Sequence, residues 1–338
     1  MLPLFPSFFQ NFCKVSKSWF IFVLTMKKIA FIVNPISGTG HKATILKYLK
    51  RKFVASKGYD AEFYSTTGPG DAYRAAVEYR DKNYDIVVAV GGDGTVNQVA
   101  KGLVNSNSKL AVIPVGSGNG LARHLKIPLQ YQRAVDVIVN EHTQNIDAGR
   151  INDEIFFCTA GLGFEAVVGD KFNSSKSRGL MTYLEFCAKE YVNYRREKYK
   201  ISIPGYEFST KAFLITFANC AQWGNNVFIA PNASISDGLL DMVVWKRAPL
   251  VTMPILTAGL LMKTIQYSEF VDTFRCKEVK ITRQSEGLIQ FDGESRMMEQ
   301  EISVSVMHNA VKAIVPGEFD IVAYAKNIVP QIKEILPK

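Results

Sequence analysis

Residues 86–95, IVVAVGGDGT, constrain this chain more than any other stretch. The first five are uncharged and mostly β-branched. They suit a strand covered on both faces, as in a parallel sheet. One turn residue would be enough to end such a strand. Here Gly91, Gly92, Asp93 and Gly94 follow it, and then a helix begins with Val96, Val99, Ala100 and Leu103 on one face. Glycine lets backbone N–H groups approach a ligand and tolerates positive φ. A strand, a glycine loop and a helix N-terminus together form an anion site. The sequence therefore asks which anion binds and what Asp93 does beside it.

The same strand–loop–helix unit recurs. Residues 29–33 read as a strand followed by the loop NPISGTG (34–40) and a helix over about 41–56. Residues 61–64 and 70–80 read as the second strand and helix, and KLAVIP (109–114) as a fourth strand followed by VGSGNG and the helix LARHL. This alternation predicts an α/β domain with a doubly wound parallel sheet whose glycine loops gather at the C-terminal ends of the strands, the ligand edge of such sheets. After about residue 146 strand patterns dominate (INDEIFFCTAG, YKISIPG, STKAFLITFANC, LLDMVVW, EVKITRQ, LIQFDGE, EISVSVM), predicting a mainly antiparallel β-sandwich. Helical interruptions are expected over 179–195 and 250–266. The expected division is 26–146 for the α/β domain and 147–316 for the β-rich domain, with the boundary at IDAGRIN (146–152) and a cleft between them. Residues 317–338 are expected to form a C-terminal helix that packs back on the first domain.

Composition narrows the class. The 338 residues are 47% hydrophobic and 21% charged with a formal net charge of +9, so an anionic partner is favoured, nucleic acid or anionic membrane. No nucleic-acid motif accompanies the basic clusters at Lys47, Lys50, Arg51 and Lys52 or at Arg195, Arg196, Lys198 and Lys200, which read as solvated helix faces. The five cysteines are scattered without CxxC spacing, which argues against a zinc site or disulfide framework and for a reducing cytosol. Residues 1–25 contain the run WFIFVL, too short to span a bilayer. Met26-Lys27-Lys28 leads straight into the first strand, so 1–25 reads as a mis-called extension, with a membrane-associating or signal segment as the alternative.

The motifs in order resemble the diacylglycerol-kinase-type lipid kinases, a family that includes sphingosine and ceramide kinases. The matching residues are Asn34-Pro35 with Ser37-Gly38, Gly91-Gly92-Asp93-Gly94-Thr95 with Asn97, and Pro114 with Gly116-Ser117-Gly118-Asn119 and Leu121-Ala122-Arg123. Asp147 with Gly149, Gly161 and Gly163 with Phe164, Asp237-Gly238 with Leu240-Asp241, and Asp292-Gly293-Glu294 complete the series. The resemblance implies ATP and Mg²⁺ as cofactors and a lipid alcohol as acceptor. Ser37, Gly38, Gly91, Gly92, Gly94, Thr95, Gly116, Ser117 and Asn119 would hold the nucleotide, largely through backbone N–H groups, with side-chain bonds from Asn34 and Thr66. Asp93 is too negative to touch phosphate and is expected to hold Mg²⁺, with Asp147 in the same network. The alternative for both is a helix cap or turn brace. Asp292 is the expected base for the acceptor hydroxyl, with Glu294 orienting it or joining the metal network. Read on its own, Asp292-Gly293 is a hairpin turn. SISDGLLD resembles a structural Mg²⁺ site of bacterial members, with Asp237 as ligand and the carbonyls of Ser234 and Leu239 beside it, against a plain Asp-Gly turn.

Two departures bear on the substrate. Gly120 stands where bacterial members carry an Asp, and Thr39 where some carry a basic residue. The apolar stretch 249–262 reads as a buried core helix, with a lipid-chain pocket or membrane contact as the other readings. The expectation is a cytoplasmic enzyme, peripheral at an anionic membrane, phosphorylating diacylglycerol or a sphingoid or other long-chain lipid. A kinase of a soluble hydroxyl compound such as NAD and a non-catalytic binding protein of the same fold are the alternatives. Oligomeric state, a homodimer included, is left open.

Overall fold

The computed structural model describes residues 26–36, 42–54, 58–175 and 180–317. The expected N-terminal extension, the C-terminal helix, Ser37 and Gly38 lie outside the described residues.

The first half runs β1 (Lys27–Val33), α1 (Lys42–Leu49), β2 (Tyr59–Ser65), α2 (Asp71–Asp81), β3 (Ile86–Gly91), α3 (Asp93–Gly102), β4 (Lys109–Pro114), α4 (Gly120–His124) and α5 (Tyr131–Asn140). Its strands are parallel in the order β2-β1-β3-β4. Every residue of β3 is buried, as its apolar run requires of a central strand covered by helices on both faces. Helices α2 and α3 pack closely because Gly102 has no side chain: a Cβ there would lie 2.7 Å from the Cβ of Ala76.

The second half continues with β5 (Thr143–Ile151), β6 (Glu154–Phe156), β7 (Thr159–Gly163), α6 (Phe164–Ser174), α7 (Leu180–Asn193), β8 (Glu197–Ile203), β9 (Tyr206–Ala212), β10 (Leu214–Ala218), β11 (Gln222–Gly224), β12 (Val227–Phe228), β13 (Leu240–Trp245), α8 (Met253–Met262), β14 (Val271–Cys276), β15 (Glu278–Thr282), β16 (Gly287–Phe291), β17 (Glu294–Met298) and β18 (Glu301–Ile314). A six-stranded antiparallel sheet, β14-β13-β10-β7-β16-β17, faces the antiparallel strands β18-β15-β8-β9. Ile151, Phe156, Leu162, Ile215, Phe217, Ile281, Ile289 and Val304 fill the space between them as a sandwich core. The predicted α/β domain plus antiparallel sandwich is thus the observed architecture.

Three features differ from expectation. The expected boundary, IDAGRIN, lies inside a strand: it forms most of β5, which pairs with β18 along its length. The two halves also share a sheet, because β18 runs antiparallel to β5 and β15 and, near its end, parallel to β4 through Ala313 and Leu110. Finally, α8 is not a core helix. Leu256 is its one fully buried residue, and Ile255 and Met262 are each 74% exposed. Among the described residues no helix is long and apolar enough to cross a membrane.

Candidate active site

The glycine loops meet at the C-terminal edge of the parallel strands. After β1, Asn34 donates through Nδ2 to Thr95 Oγ1 (3.1 Å) and accepts the Ile36 N–H on Oδ1 (2.9 Å), tying the first loop to the start of α3. After β2, Thr66 is buried and its N–H bonds to the Val33 carbonyl. A side chain at Gly91 would run into Thr95, and one at Gly116 would reach 2.6 Å from Gly92 Cα. These glycines therefore permit two loops to touch backbone to backbone. Around Gly94 there is open space, as an approach to the α3 N-terminus requires.

Asp93 accepts the N–H groups of Asn119 (2.8 Å, on Oδ2) and Gly120 (2.6 Å, on Oδ1). It thereby caps α4 and fixes the fourth loop against the third. Asn119 folds back on its own loop, accepting the Gly116 N–H (3.0 Å) and donating to the Gly116 carbonyl (2.7 Å) in a left-handed conformation with φ 52°. Its side chain is thus a loop brace.

Asp292 and Gly293 have φ values of 47° and 88° and join β16 to β17, the positive φ at both central residues that a type I′ hairpin demands. The turn and the functional reading coexist. The turn aims the Asp292 carboxylate inward, where Oδ2 accepts from Asn97 Nδ2 (2.5 Å) and the Phe157 N–H (2.6 Å) and Oδ1 from the N–H groups of Cys158 (2.7 Å) and Thr159 (3.1 Å). Burial pushes the Asp292 carboxyl up, and these four donors pull against it, leaving it raised. Glu294 starts β17 exposed, opposite Phe291 and outside the cavity wall.

Between the two aspartates lies a cavity of about 280 Å³. Asp93, Asn97, Ser117, Gly118 and Gly120 line it from the first half, and Phe157, Cys158, Thr159, Glu165, Phe172, Gln290, Asp292 and Gly293 from the second. The β11–β12 hairpin closes one side with Trp223, Asn225 and Val227. Of the expected nucleotide residues, Ser117 reaches this cavity. Asn34, Thr66 and Thr95 stand outside its wall, on the open edge beside α3.

Glu165 is the lining residue that sequence reasoning passed over. It sits in the first turn of α6, and Thr216 Oγ1 donates to its Oε2. Its Oε1 has no hydrogen-bond partner and lies over Gly161, where any side chain would collide with it. Burial pushes this carboxyl up to about 8, against the pull of Thr216 and Trp223. The signal was an acidic residue inside the apolar stretch TAGLGFEAVV, one position after the matched Phe164.

Two of the residues expected at metal sites, Asp147 and Asp237, have their oxygens engaged by protein partners. Asp147 does not face Asp93. It is fully buried, with Oδ1 taken by His308 Nδ1 (2.8 Å) and the Asn309 N–H (2.7 Å) and Oδ2 by the Gly238 N–H (2.7 Å). Its oxygens brace the irregular bend of β18 and the Asp-Gly turn. Asp237, expected at a Mg²⁺ site with the Ser234 and Leu239 carbonyls, is engaged by other partners. Its Oδ1 accepts the Leu239 N–H (3.1 Å), its Oδ2 is ion-paired to Arg275, and the same guanidinium lies 3.9 Å from Asp241. A divalent ion there would meet a resident cation. Among the described residues no group of three acidic, His or Cys side chains could hold a metal. Asp93 fits Mg²⁺ in another way: a single carboxylate on a cavity wall suits an ion that keeps its waters and binds substrate phosphates.

Family profiles identify this assembly as a kinase. Residues 28–151 match the diacylglycerol kinase catalytic domain, and residues 158–322 the YegS C-terminal NAD kinase beta sandwich-like domain. A diacylglycerol kinase of Bacillus subtilis (strain 168) is 31% identical over 277 residues, 80% of this chain and 90% of that one. A diacylglycerol kinase of Mycobacterium tuberculosis (strain ATCC 25618 / H37Rv) is 31% identical over 232 residues, 64% of this chain and 72% of that one. In fold, the chain is similar to the crystal structure of a diacylglycerol kinase from Bacillus anthracis str. Sterne, with a TM-score of 0.69 at 22% identity over 86% of this chain and 98% of that one. The chain belongs to the diacylglycerol kinase family.

Proposed function

We propose that this kinase transfers the γ-phosphoryl group of ATP to the hydroxyl of a membrane lipid, diacylglycerol or a sphingoid or other long-chain alcohol. The observation that carries the reading is one cavity with a nucleotide-side carboxylate, Asp93, on one wall and a second carboxylate, Asp292, on the other. The names of the relatives support the acceptor class.

In this reading the β- and γ-phosphates lie along the open edge by Asn34, Gly92, Gly94 and the α3 N-terminus, where backbone N–H groups favour anions. Asp93 holds Mg²⁺, which when bound neutralises phosphate charge. The acceptor hydroxyl enters the cavity and takes the place of Asn97 on Asp292 Oδ2, the oxygen with a side-chain donor that can rotate away. Asp292 accepts the hydroxyl proton as the oxygen attacks γ-phosphorus, the bond to the β-bridging oxygen breaks, and ADP leaves. Three backbone N–H groups keep the carboxylate aimed throughout. Val96, Leu121, Phe157, Phe172 and Val227 offer apolar contact to the portion of the lipid next to its hydroxyl.

The test is transfer of ³²P from ATP to diacylglycerol, sphingoid bases and ceramide in mixed micelles, with NAD alongside. Label is expected in one lipid. Asp292→Asn should lower the rate by about 10²-fold or more, the usual contribution of a positioned base, with ATP binding retained. Label in NAD alone would refute the lipid acceptor. Full activity in the variant would remove Asp292 from the proton transfer.

A further inference from the structure

We propose that the segment 250–267, built around α8, is the element that docks this protein on an anionic bilayer and sets the cavity mouth against it. The proposal deepens the lipid-kinase reading and rests on it for the purpose of the contact, though not for the contact itself.

The observation is an apolar surface that stands exposed among the described residues. Leu250, Val251, Ile255, Leu261, Met262 and Tyr267 are between 55% and 82% exposed. Among the described residues they are six of the fifteen large hydrophobic side chains classed as exposed. They are not scattered. On α8, Ile255 and Met262 fall in one row and Pro254 and Leu261 in the adjacent row, while Leu250 and Val251 sit in the short 3-10 turn just before it. The opposite side of the segment is anchored: Leu256 and Ile265 are buried against the outer face of the six-stranded sheet with Val243 and Trp245. The exposed stripe is therefore held out on a fixed support.

Charge and position choose the occupant. Residues 247–268 contain no acidic side chain, and Arg247 and Lys263 flank the stripe. A stripe of apolar residues fringed by cations is complementary to acyl chains beneath anionic headgroups, and the whole chain carries +9. The stripe also adjoins the cavity. Lys263 Nζ lies 4.4 Å from the ring centre of Phe228 in β12, and that hairpin supplies Trp223, Asn225 and Val227 to the cavity wall. A bilayer seated on α8 would lie against the hairpin through which a lipid must enter.

The experiment uses the full chain, phosphatidylcholine vesicles with and without phosphatidylglycerol, and the double variant Ile255→Glu/Met262→Glu. Both side chains already face water, so the melting temperature should hold. Vesicle co-sedimentation should require phosphatidylglycerol and fall about tenfold or more in the variant, since a carboxylate resists transfer into the interface. Hydrogen exchange should slow across 250–267 of the wild type when vesicles are added, a local readout independent of any other membrane-binding segment. Transfer to a short-chain acceptor dissolved in water should be unchanged. Undiminished sedimentation of the variant, or no protection of 250–267, would overturn the proposal. So would a wild-type dimer that the variant converts to monomer, which would make a second copy the occupant. Vesicle binding that behaves as stated in an enzyme labelling no lipid would leave the docking surface standing and remove the lipid-kinase reading instead.

Discussion

Glu165→Gln offers a measurement whose sign and size come directly from the site. The unfolded chain releases the Glu165 proton near 4.5, whereas burial holds it in the fold to about 8. Between those values the unfolded state binds fewer protons than the native state, so native stability contributed by this group falls as pH rises. From its unfolded pKa to pH 7 is about 2.5 pH units, and at about 1.4 kcal/mol per unit the cost reaches about 3 kcal/mol, approaching about 5 kcal/mol above pH 8, where it levels off. Glutamine keeps the volume over Gly161, leaves an oxygen for the Thr216 hydroxyl and removes the titration. The urea midpoints of the two proteins should therefore nearly coincide at pH 4.5 and separate progressively to pH 8, with the glutamine variant more stable. Equilibrium unfolding monitored by far-UV circular dichroism at four pH values suffices. Parallel curves across that range would mean that Thr216 and Trp223 hold an ionised carboxylate, and the account of Glu165 as a neutral wall residue would be wrong.

Two further outcomes are expected at the cavity. Asn97→Ala removes the side-chain donor that lowers the Asp292 pKa, so the acid limb of the pH–rate profile should move to higher pH; an unmoved limb would show that another group sets it. Gly120→Asp would place a Cβ 3.6 Å from both Asp93 Oδ1 and Cys158 Sγ, ordinary contact distances, and supply the acidic residue that the family resemblance leads one to expect there. Two adjacent carboxylates should cost stability of order 1 kcal/mol without metal. Added Mg²⁺ should then raise the melting temperature of the variant more than that of the wild type. Equal Mg²⁺ responses would argue against Asp93 as the metal carboxylate.

The first half of the fold was legible because its causes are local. A β-branched strand, a glycine turn and an amphipathic helix each announce themselves within about ten residues, and β3 with α3 appears as its sequence dictates. The Asp292 turn was legible for the same reason, and it aims into the cavity the carboxylate proposed here as the base. What escaped depends on distant partners. No spacing rule shows that Asp147 turns toward His308, 161 residues away, or that Arg275 answers Asp237 from 38 residues downstream. The composition of α8 is that of a core helix, yet burial depends on what packs over it, and among the described residues of the helix Leu256 is the one that is buried. IDAGRIN was placed at a domain boundary because the strand pattern changes there, and its pairing with β18, more than 150 residues on, is not visible locally. A Cβ at Gly149 would lie 2.0 Å from Phe156 Cζ, so no side chain fits there.

β18 has a mechanical consequence. Its first part, with Ile302 and Val304, belongs to the sandwich core, and its last part, with Ala310, Val311, Ala313 and Ile314, to the core of the parallel half. The irregular stretch between Met307 and Val311 is pinned to Asp147 through His308 and Asn309. One continuous strand is thus the spine of both halves, clamped at its bend. Swinging the halves apart like jaws would strip buried side chains from two cores at once and break a saturated buried carboxylate. Opening of the cavity is therefore expected from the small parts around it, the β11–β12 hairpin above all, while the walls that carry Asp93 and Asp292 keep a fixed spacing.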